Sequence, residues 1–251
     1  MQGSMKVCAI VVGASSGIGE ALARKIAGEG RTVALLARRG DRLTTIATEI
    51  NDQAGEERAF AFAHDVAKID EVEPLWERIE SSLGTVDEIH LVSAVMPPVG
   101  PDEFDTAKDR EMIEINVLGA IAWGNAAARR FSKAGHGRIV GISSVAQDRG
   151  RVGRPVYGAS KACMDHYLEA LRNRLWRKGV RVMTVRPGFV ETPMTEDVEG
   201  MFWLISAERA AGIILKAMRR GKAVIYVPAR WRLMMFVVRS IPSFLFRKLN
   251  V

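Results

Sequence analysis

Cysteine is almost missing from this chain. Only Cys8 and Cys163 occur in 251 residues, in apolar or helical surroundings, which excludes a disulfide-stapled secreted scaffold and fits reduced thiols of a cytosolic protein. Histidine is equally scarce. His64, His90, His136 and His166 are scattered and take up no ligand spacing, so no metal site is expected. The C-terminal tail holds no apolar run near the roughly 20 residues that span a bilayer; its longest is the six-residue stretch Leu233–Val238. The opening Met-Gln-Gly-Ser-Met is too short and too polar for a signal peptide. No repeat, linker or low-complexity segment interrupts the chain. With 48% hydrophobic and 26% charged residues, the composition is that of one globular domain with a large core.

Acidic side chains vanish after Glu208. Ten Lys or Arg and no Asp or Glu lie between Arg209 and Val251. The first 208 residues carry 26 basic and 29 acidic side chains, a net of −3, so the overall +7 belongs to the C-terminal end. That distribution argues against a general nucleic-acid surface and for a local partner of negative charge.

What is present is an alternation of apolar runs and amphipathic segments. Lys6–Val12 reads as a strand, Gly13-Ala-Ser-Ser-Gly-Ile-Gly19 as a glycine-rich turn, and Glu20 to about Glu29 as a helix. In that context the turn suits a pyrophosphate: Gly13 permits the bend, Gly17 lets the backbone approach, and Gly19 lets the helix pack closely with its N–H groups facing the anion. A second strand, Thr32–Ala37, ends in Arg38-Arg39. Two guanidinium forks at that point suit an adenosine 2′-phosphate, which favours NADP(H) over NAD(H). Further strands are expected at 58–63, 88–92, 138–143, 180–185 and 223–227, with helices at 42–54, 69–83, 102–131, 156–178 and 207–220. Repeated βαβ units predict an α/β fold, a doubly wound parallel sheet of Rossmann type with helices on both faces. The catalytic domain is placed at 5–228 and the tail at 229–251.

Val156-Tyr-Gly-Ala-Ser-Lys161 puts a phenol and an ammonium one helical turn apart on one face. A nearby ammonium favours phenolate and lowers the phenol's pKa, which would make Tyr157 a proton donor and acceptor for carbonyl–alcohol chemistry. Alone, the pair is uninformative; its neighbours decide. Taken together, the motifs resemble those of the short-chain dehydrogenase/reductase family over nearly all of residues 6–228. Gly13–Gly19, with Ser15, Ser16 and Ile18, is similar to its nucleotide loop, and Asp65-Val66 to the pair at the adenine. Asn116 in Asn-Val-Leu-Gly is similar to the residue that holds a water beside the active-site lysine. Ser144 stands thirteen residues before Tyr157 and is preferred to Ser143. Arg186-Pro-Gly-Phe-Val-Glu-Thr192 is similar to the segment around the nicotinamide, with Pro187, Gly188, Val190 and Thr192 in contact.

The resemblance implies that Ser144 polarises the substrate carbonyl and Tyr157 transfers the proton. Lys161 would lower the Tyr157 pKa and hold the ribose, and Asn116 would anchor a water relay. One departure stands out. The family's Asn-Asn-Ala-Gly is replaced by Leu91-Val-Ser-Ala-Val95, which leaves Ser93 at the cofactor, and Met96-Pro97-Pro98 makes a rigid turn. The resemblance also implies a homodimer or homotetramer through the helices near 103–131 and 156–178.

The segment from Glu191 to Ser206 should carry the substrate loop. Met194, Met201, Phe202, Trp203 and Leu204 form either an apolar lid over a lipophilic substrate or, from Phe202 to Ile205, the start of the next helix. In the tail, Arg230, Arg232, Arg239, Arg247 and Lys248 alternate with aromatic and aliphatic residues, and Pro242 divides two short helices. That pattern suits a peripheral contact with the inner face of the cell membrane, and equally an oligomer contact or a flap over the pocket. The tail is also similar to that of decaprenylphosphoryl-ketoribose reductases, which implies a polyprenyl-phosphate-linked 2-keto sugar. The competing class is an idle dinucleotide-binding sensor that docks through its tail; the complete set Asn116, Ser144, Tyr157 and Lys161 argues against it.

Overall fold

The computed structural model describes residues 8–100, 102–198 and 200–249; the expected domain start at residue 5 and the strand positions Lys6 and Val7 lie outside them. In chain order the elements are β1 (Cys8–Val12), α1 (Gly17–Gly28), β2 (Thr32–Ala37), α2 (Gly40–Ala54), β3 (Ala59–Ala63), α3 (Val72–Leu83), β4 (Val86–Leu91), α4 (Thr106–Ile113) and α5 (Ala120–Ala134). They continue with β5 (Gly137–Ile142), α6 (Pro155–Leu175), β6 (Val180–Pro187), β7 (Val190–Glu191), β8 (Ile205–Ser206), α7 (Ala207–Arg219), β9 (Val224–Val227), α8 (Trp231–Ser240) and α9 (Ser243–Phe246).

Seven strands form one sheet in the order β3-β2-β1-β4-β5-β6-β9, and every pair in it is parallel. Successive residues of β1 serve opposite layers, as the period of two requires. Ala9 and Val11 pack with Leu22, Ile26, Ile46 and Ile214 of α1, α2 and α7. Cys8, Ile10 and Val12 pack with Trp76, Trp123 and Leu168 of α3, α5 and α6. The strand order reverses between β1 and β4. In such a sheet the crevice for a ligand opens beyond the carboxyl ends of those two strands. Gly13 and Ser93 lie there, with Val92 and Ser93 both donating to the Val12 carbonyl at 2.9 Å.

Several boundaries differ from the sequence reading, each for a local reason. Helix α1 begins at Gly17 rather than Glu20, so the end of the glycine loop is already the first helical turn. The helical stretch expected over 102–131 is broken. Asp105 caps α4 by accepting from Ala107 N and Lys108 N, and a wide π turn over Glu114–Gly119 separates α4 from α5. After Glu191 the chain does not go straight into α7: Ile205 and Ser206 pair in parallel with Val190 and Glu191, and α7 starts at Ala207. In the tail Pro242 does divide two short helices. Among the described residues no helix is long and apolar enough to cross a membrane.

Candidate active site

A cavity of about 540 Å3 opens at the reversal point. Its floor is the glycine loop. Gly13 (φ +96°) and Gly17 (φ +54°) both hold left-handed backbone, which other residues rarely adopt. At Gly17 there is also no room for a side chain, because an added Cβ would lie 2.8 Å from Thr192 Cγ2. Behind the loop, a Cβ on Gly19 would lie 2.0 Å from the Gly13 carbonyl oxygen. The close helix approach read from the sequence is therefore real, although Gly19 itself stands behind the cavity wall.

The two arginines after β2 divide their tasks. Arg39 folds onto the loop, donating to Ser15 Oγ at 3.0 Å and to Ser16 Oγ at 3.1 Å. Arg38 also lines the cavity, is exposed, and its guanidinium has no hydrogen bond or ion pair among the described residues. A free guanidinium beside a pinned one fits a phosphate brought from outside. Val66 and Ser93 line the cavity as expected. Asp65 does not; its carboxylate accepts from Ala67 N at 3.1 Å and closes the turn after β3. The neighbouring His64 does line the cavity, and the sequence reading missed it although it sits at the same strand end. It is buried edge-on to Trp123 with ring centroids 5.5 Å apart. Its Nδ1 lies 3.4 Å from the Glu71 carboxylate; burial pushes its pKa below the ordinary value and Glu71 draws it partly back.

The opposite wall carries Ser144, Tyr157 and Lys161. Strand β5 delivers Ser143 and Ser144 side by side, and the structure separates their roles. Ser143 Oγ donates to the Lys161 carbonyl at 3.1 Å and is buried, so it ties β5 to α6. Ser144, in extended backbone, keeps its hydroxyl at the cavity and accepts from Ala146 N at 3.1 Å. Pro155 in the first turn of α6 sets the helix start, two residues before Tyr157.

The electrostatics differ from the sequence reading at two points. Burial pushes the Tyr157 phenol above its ordinary value; the Ser144 hydroxyl and the Arg154 charge draw it partly back. Lys161 is not what lowers it. Its Nζ donates to the Ile142 carbonyl at 3.0 Å and stands 5.8 Å from the centre of the Tyr157 ring. Burial in turn pushes the Lys161 amine down to about 8. The second correction concerns Asn116. Its Oδ1 accepts from Val95 N at 2.7 Å, and its amide donates to the Val95 carbonyl and to Ser160 Oγ at 2.9 and 3.2 Å. Both amide protons are thus spent on holding the exit of β4 against α6. Asn116 is a positioning residue, outside the cavity lining.

Beyond Tyr157 the wall is formed by Pro187, Gly188, Phe189, Val190, Thr192 and Met194. The tail reaches this wall. A Cβ on Gly188 would fall 1.9 Å from Trp231 Nε1, so only glycine lets the indole lie flat on the nicotinamide-side segment. Phe189, Phe202 and Trp203 surround that indole at centroid distances of 5.5, 5.1 and 5.5 Å. Phe202 and Trp203 therefore pack on the tail instead of starting α7. Arg149 completes the attachment, donating to the carbonyls of Val238 and Ile241 at the end of α8 at 2.9 and 2.5 Å. It also stacks on Phe246 at 4.0 Å.

The family described as short chain dehydrogenase matches residues 7–201 of this sequence. An uncharacterized oxidoreductase of Streptomyces coelicolor is 34% identical over 249 residues, covering 96% of this chain and 95% of that protein. One from Mycobacterium tuberculosis is 29% identical over 240 residues and covers 96% of both. In fold, a short-chain dehydrogenase from Sphingobium yanoikuyae in complex with NADPH superposes with a TM-score of 0.79 at 24% identity, covering 94% of this chain and 97% of the other. The chain belongs to the short-chain dehydrogenase family and is an oxidoreductase of that family.

Proposed function

We propose that this protein is an NADP(H)-dependent enzyme interconverting a ketone and a secondary alcohol, with Tyr157 as its proton-transfer group. The observation that carries the proposal is the meeting of Ser144, Tyr157 and Lys161 on one cavity wall, facing a glycine loop that leaves space only for backbone. When bound, the nicotinamide supplies the hydride. The chain does the rest. The Ser144 hydroxyl donates to the substrate oxygen, and the Tyr157 phenol gives that oxygen its proton in reduction or takes it in oxidation. The Lys161 amine, brought down to about 8 by burial, holds or releases a proton close to neutral pH beside the phenol. The preference for NADP(H) rests on the free Arg38 and the pinned Arg39.

The substrate is read as lipophilic. Supporting this are the ring cluster of Phe189, Phe202, Trp203 and Trp231 and the outer face of the tail, where Leu233, Phe236, Val237, Phe244 and Leu245 are exposed among basic residues. Such a face suits an anionic membrane surface. The narrower candidate, a 2-keto sugar on a polyprenyl phosphate, follows from the sequence of the tail alone.

NADPH consumption on a panel of lipophilic ketones tests the reaction, with Tyr157→Phe as the partner variant. The variant should bind NADPH as the wild type does and lose at least about a hundredfold in kcat, in line with the loss of a general acid. Turnover unchanged in Tyr157→Phe refutes the mechanism, and no turnover by either protein favours the sensor reading.

A further inference from the structure

We propose that the substrate end of the cavity is an anion-binding subsite, built by Arg151 and Arg154, which selects carbonyl substrates bearing a phosphate or carboxylate group. The inference rests on the assignment of Tyr157 as the reacting centre.

Among the described residues, five arginines line the cavity and no aspartate or glutamate does. Arg38 and Arg39 lie at the glycine-loop end, where the phosphates of a dinucleotide belong. The other three, Arg149, Arg151 and Arg154, come from the single loop between Ser144 and Tyr157, so cofactor binding leaves them unexplained. Arg149 is committed to the tail: its guanidinium is occupied by carbonyl oxygens at the end of α8 and by the ring of Phe246.

Arg151 and Arg154 are not committed. Arg151 Nε and Arg154 Nη1 are shielded from water and have no hydrogen-bond partner among the described residues. The polar contact of Arg151 is to a thioether, Met235 Sδ, 3.7 Å from Nη2, which is a weak acceptor. The acid whose charge acts on Arg151, Asp148, is engaged elsewhere: it accepts from the Tyr226 hydroxyl at 3.0 Å and lies 3.5 Å from Arg239 Nε. Its charge reaches Arg151 only at a distance, and burial outweighs it, pushing that guanidinium below its ordinary range.

A long arginine side chain on a surface loop can turn to water at little cost. Two that instead line a cavity with one N–H each shut off from water and unpaired among the described residues hold a desolvation cost that an anion at their cavity-facing atoms would relieve. Their fork geometry matches a phosphate or carboxylate. The position fits as well. Arg154 lies three residues before Tyr157, and its charge already acts on the phenol. An anionic group there would lie within a few bonds of the reacting carbonyl, and Met194 and Phe189 would cover the apolar part of the substrate.

Isothermal titration of the full-length protein with phenyl phosphate, and with phenol as its neutral counterpart, tests the subsite without turnover. Wild type should bind phenyl phosphate more tightly than phenol. Arg151→Gln and Arg154→Gln should each weaken phenyl phosphate binding roughly tenfold or more, the worth of a lost charge-assisted hydrogen bond. Arg177→Gln, on the exposed turn after α6, removes one charge away from the cavity and should leave binding unchanged. Either glutamine variant suffices, so misfolding of one leaves the other decisive. Equal affinity in wild type and the folded glutamine variants, or a loss in Arg177→Gln as large as theirs, overturns the proposal. The titration reads the subsite alone, so inactivity toward ketones would count against the redox assignment and not against this one.

Discussion

Removing the indole of Trp231 should release the tail while leaving the domain folded. Trp231 is 2% exposed and is the hub at which Phe189, Phe202 and Trp203 converge. Deleting such a side chain costs about 3–5 kcal/mol in a packed site. Its Nε1 has no hydrogen-bond partner, however, and freeing a buried, unpaired N–H returns about 1–3 kcal/mol. The net cost of Trp231→Ala is therefore centred on about 2 kcal/mol, or roughly a 30-fold rise in the undocked population. The cost falls on the tail because Trp231 and Met235 form a small cluster with Val145, apart from the two main layers. Hydrogen exchange read by mass spectrometry should show amides 234–240 accelerating by that factor while β1 and β4 keep wild-type protection. Gly188→Ala should give the same pattern from the other side, since its methyl would occupy the place of the indole. Unchanged exchange in α8, or equal acceleration in β1, would refute the reasoning.

Arg38→Asp should weaken NADPH binding at least tenfold more than NADH binding in fluorescence titrations; equal losses reject its assignment to the 2′-phosphate. Glu88 is fully buried; against that burial, His90 and Arg31 hold its carboxyl down to about 2. Its folded pKa lies below its unfolded one, so its contribution is complete above about pH 4.5 and is lost as pH falls toward 2. Urea unfolding of Glu88→Gln should thus show a deficit at pH 7 that narrows between pH 4.5 and 2, and a pH-independent deficit would contradict the pairing. Lys161 titrates in the opposite sense: burial lowers its folded pKa to about 8, so the charged amine destabilises the fold below that pH and the penalty fades as pH rises toward about 10.4. Lys161→Met should raise the Tm of the cofactor-free protein at pH 7, with a smaller gain at pH 10, while abolishing turnover; a lower Tm at pH 7 would show that the hydrogen bond to the Ile142 carbonyl outweighs the burial cost. Flotation with vesicles containing anionic lipid should recover the full chain better than one ending at residue 228, and equal recovery rejects the membrane role of the tail.

The frame of the molecule could be read from its sequence because its strands are bounded sharply. Thr32–Ala37 is apolar on both faces and ends at two arginines, and the structure begins and ends β2 at the same residues. The break in the helix carrying Asn116 was hidden for a physical reason. A π turn changes which carbonyl each N–H meets without changing the apolar periodicity on which a helix assignment rests. Asn116 was singled out correctly by its motif, yet its partners are the backbone of Val95 and the hydroxyl of Ser160, 21 and 44 residues away. No local pattern encodes such a pairing. The same holds for Lys161: a spacing of four residues puts it on the face of Tyr157, but whether its amine meets the phenol oxygen or a strand carbonyl depends on how β5 lies against α6.

The arginines between Ser144 and Tyr157 show where a legible signal was passed over. Arg149-Gly-Arg-Val-Gly-Arg154 reads locally as a solvated, flexible loop, the usual place for glycine and arginine together. Its position gives the opposite reading, because a loop joining the serine and the tyrosine of the proposed mechanism borders the cavity that both line. The tail then removes the solvent: α8 packs over this loop through Trp231 and Met235 and takes one arginine for its own C-terminus. A segment that the sequence marked as basic and apolar, and therefore as membrane-facing, thus has two faces with separate work. The outer one, with Leu233, Phe236 and Val237 exposed, is the face that the proposed membrane contact would use. The inner one places Met235 against Arg151, whose Nε is shut off from water and unpaired among the described residues, the cost on which the proposed anion subsite rests. Undocking the tail by Trp231→Ala should consequently weaken phenyl phosphate binding even though Trp231 carries no charge, and full-strength binding by that variant would separate the two features.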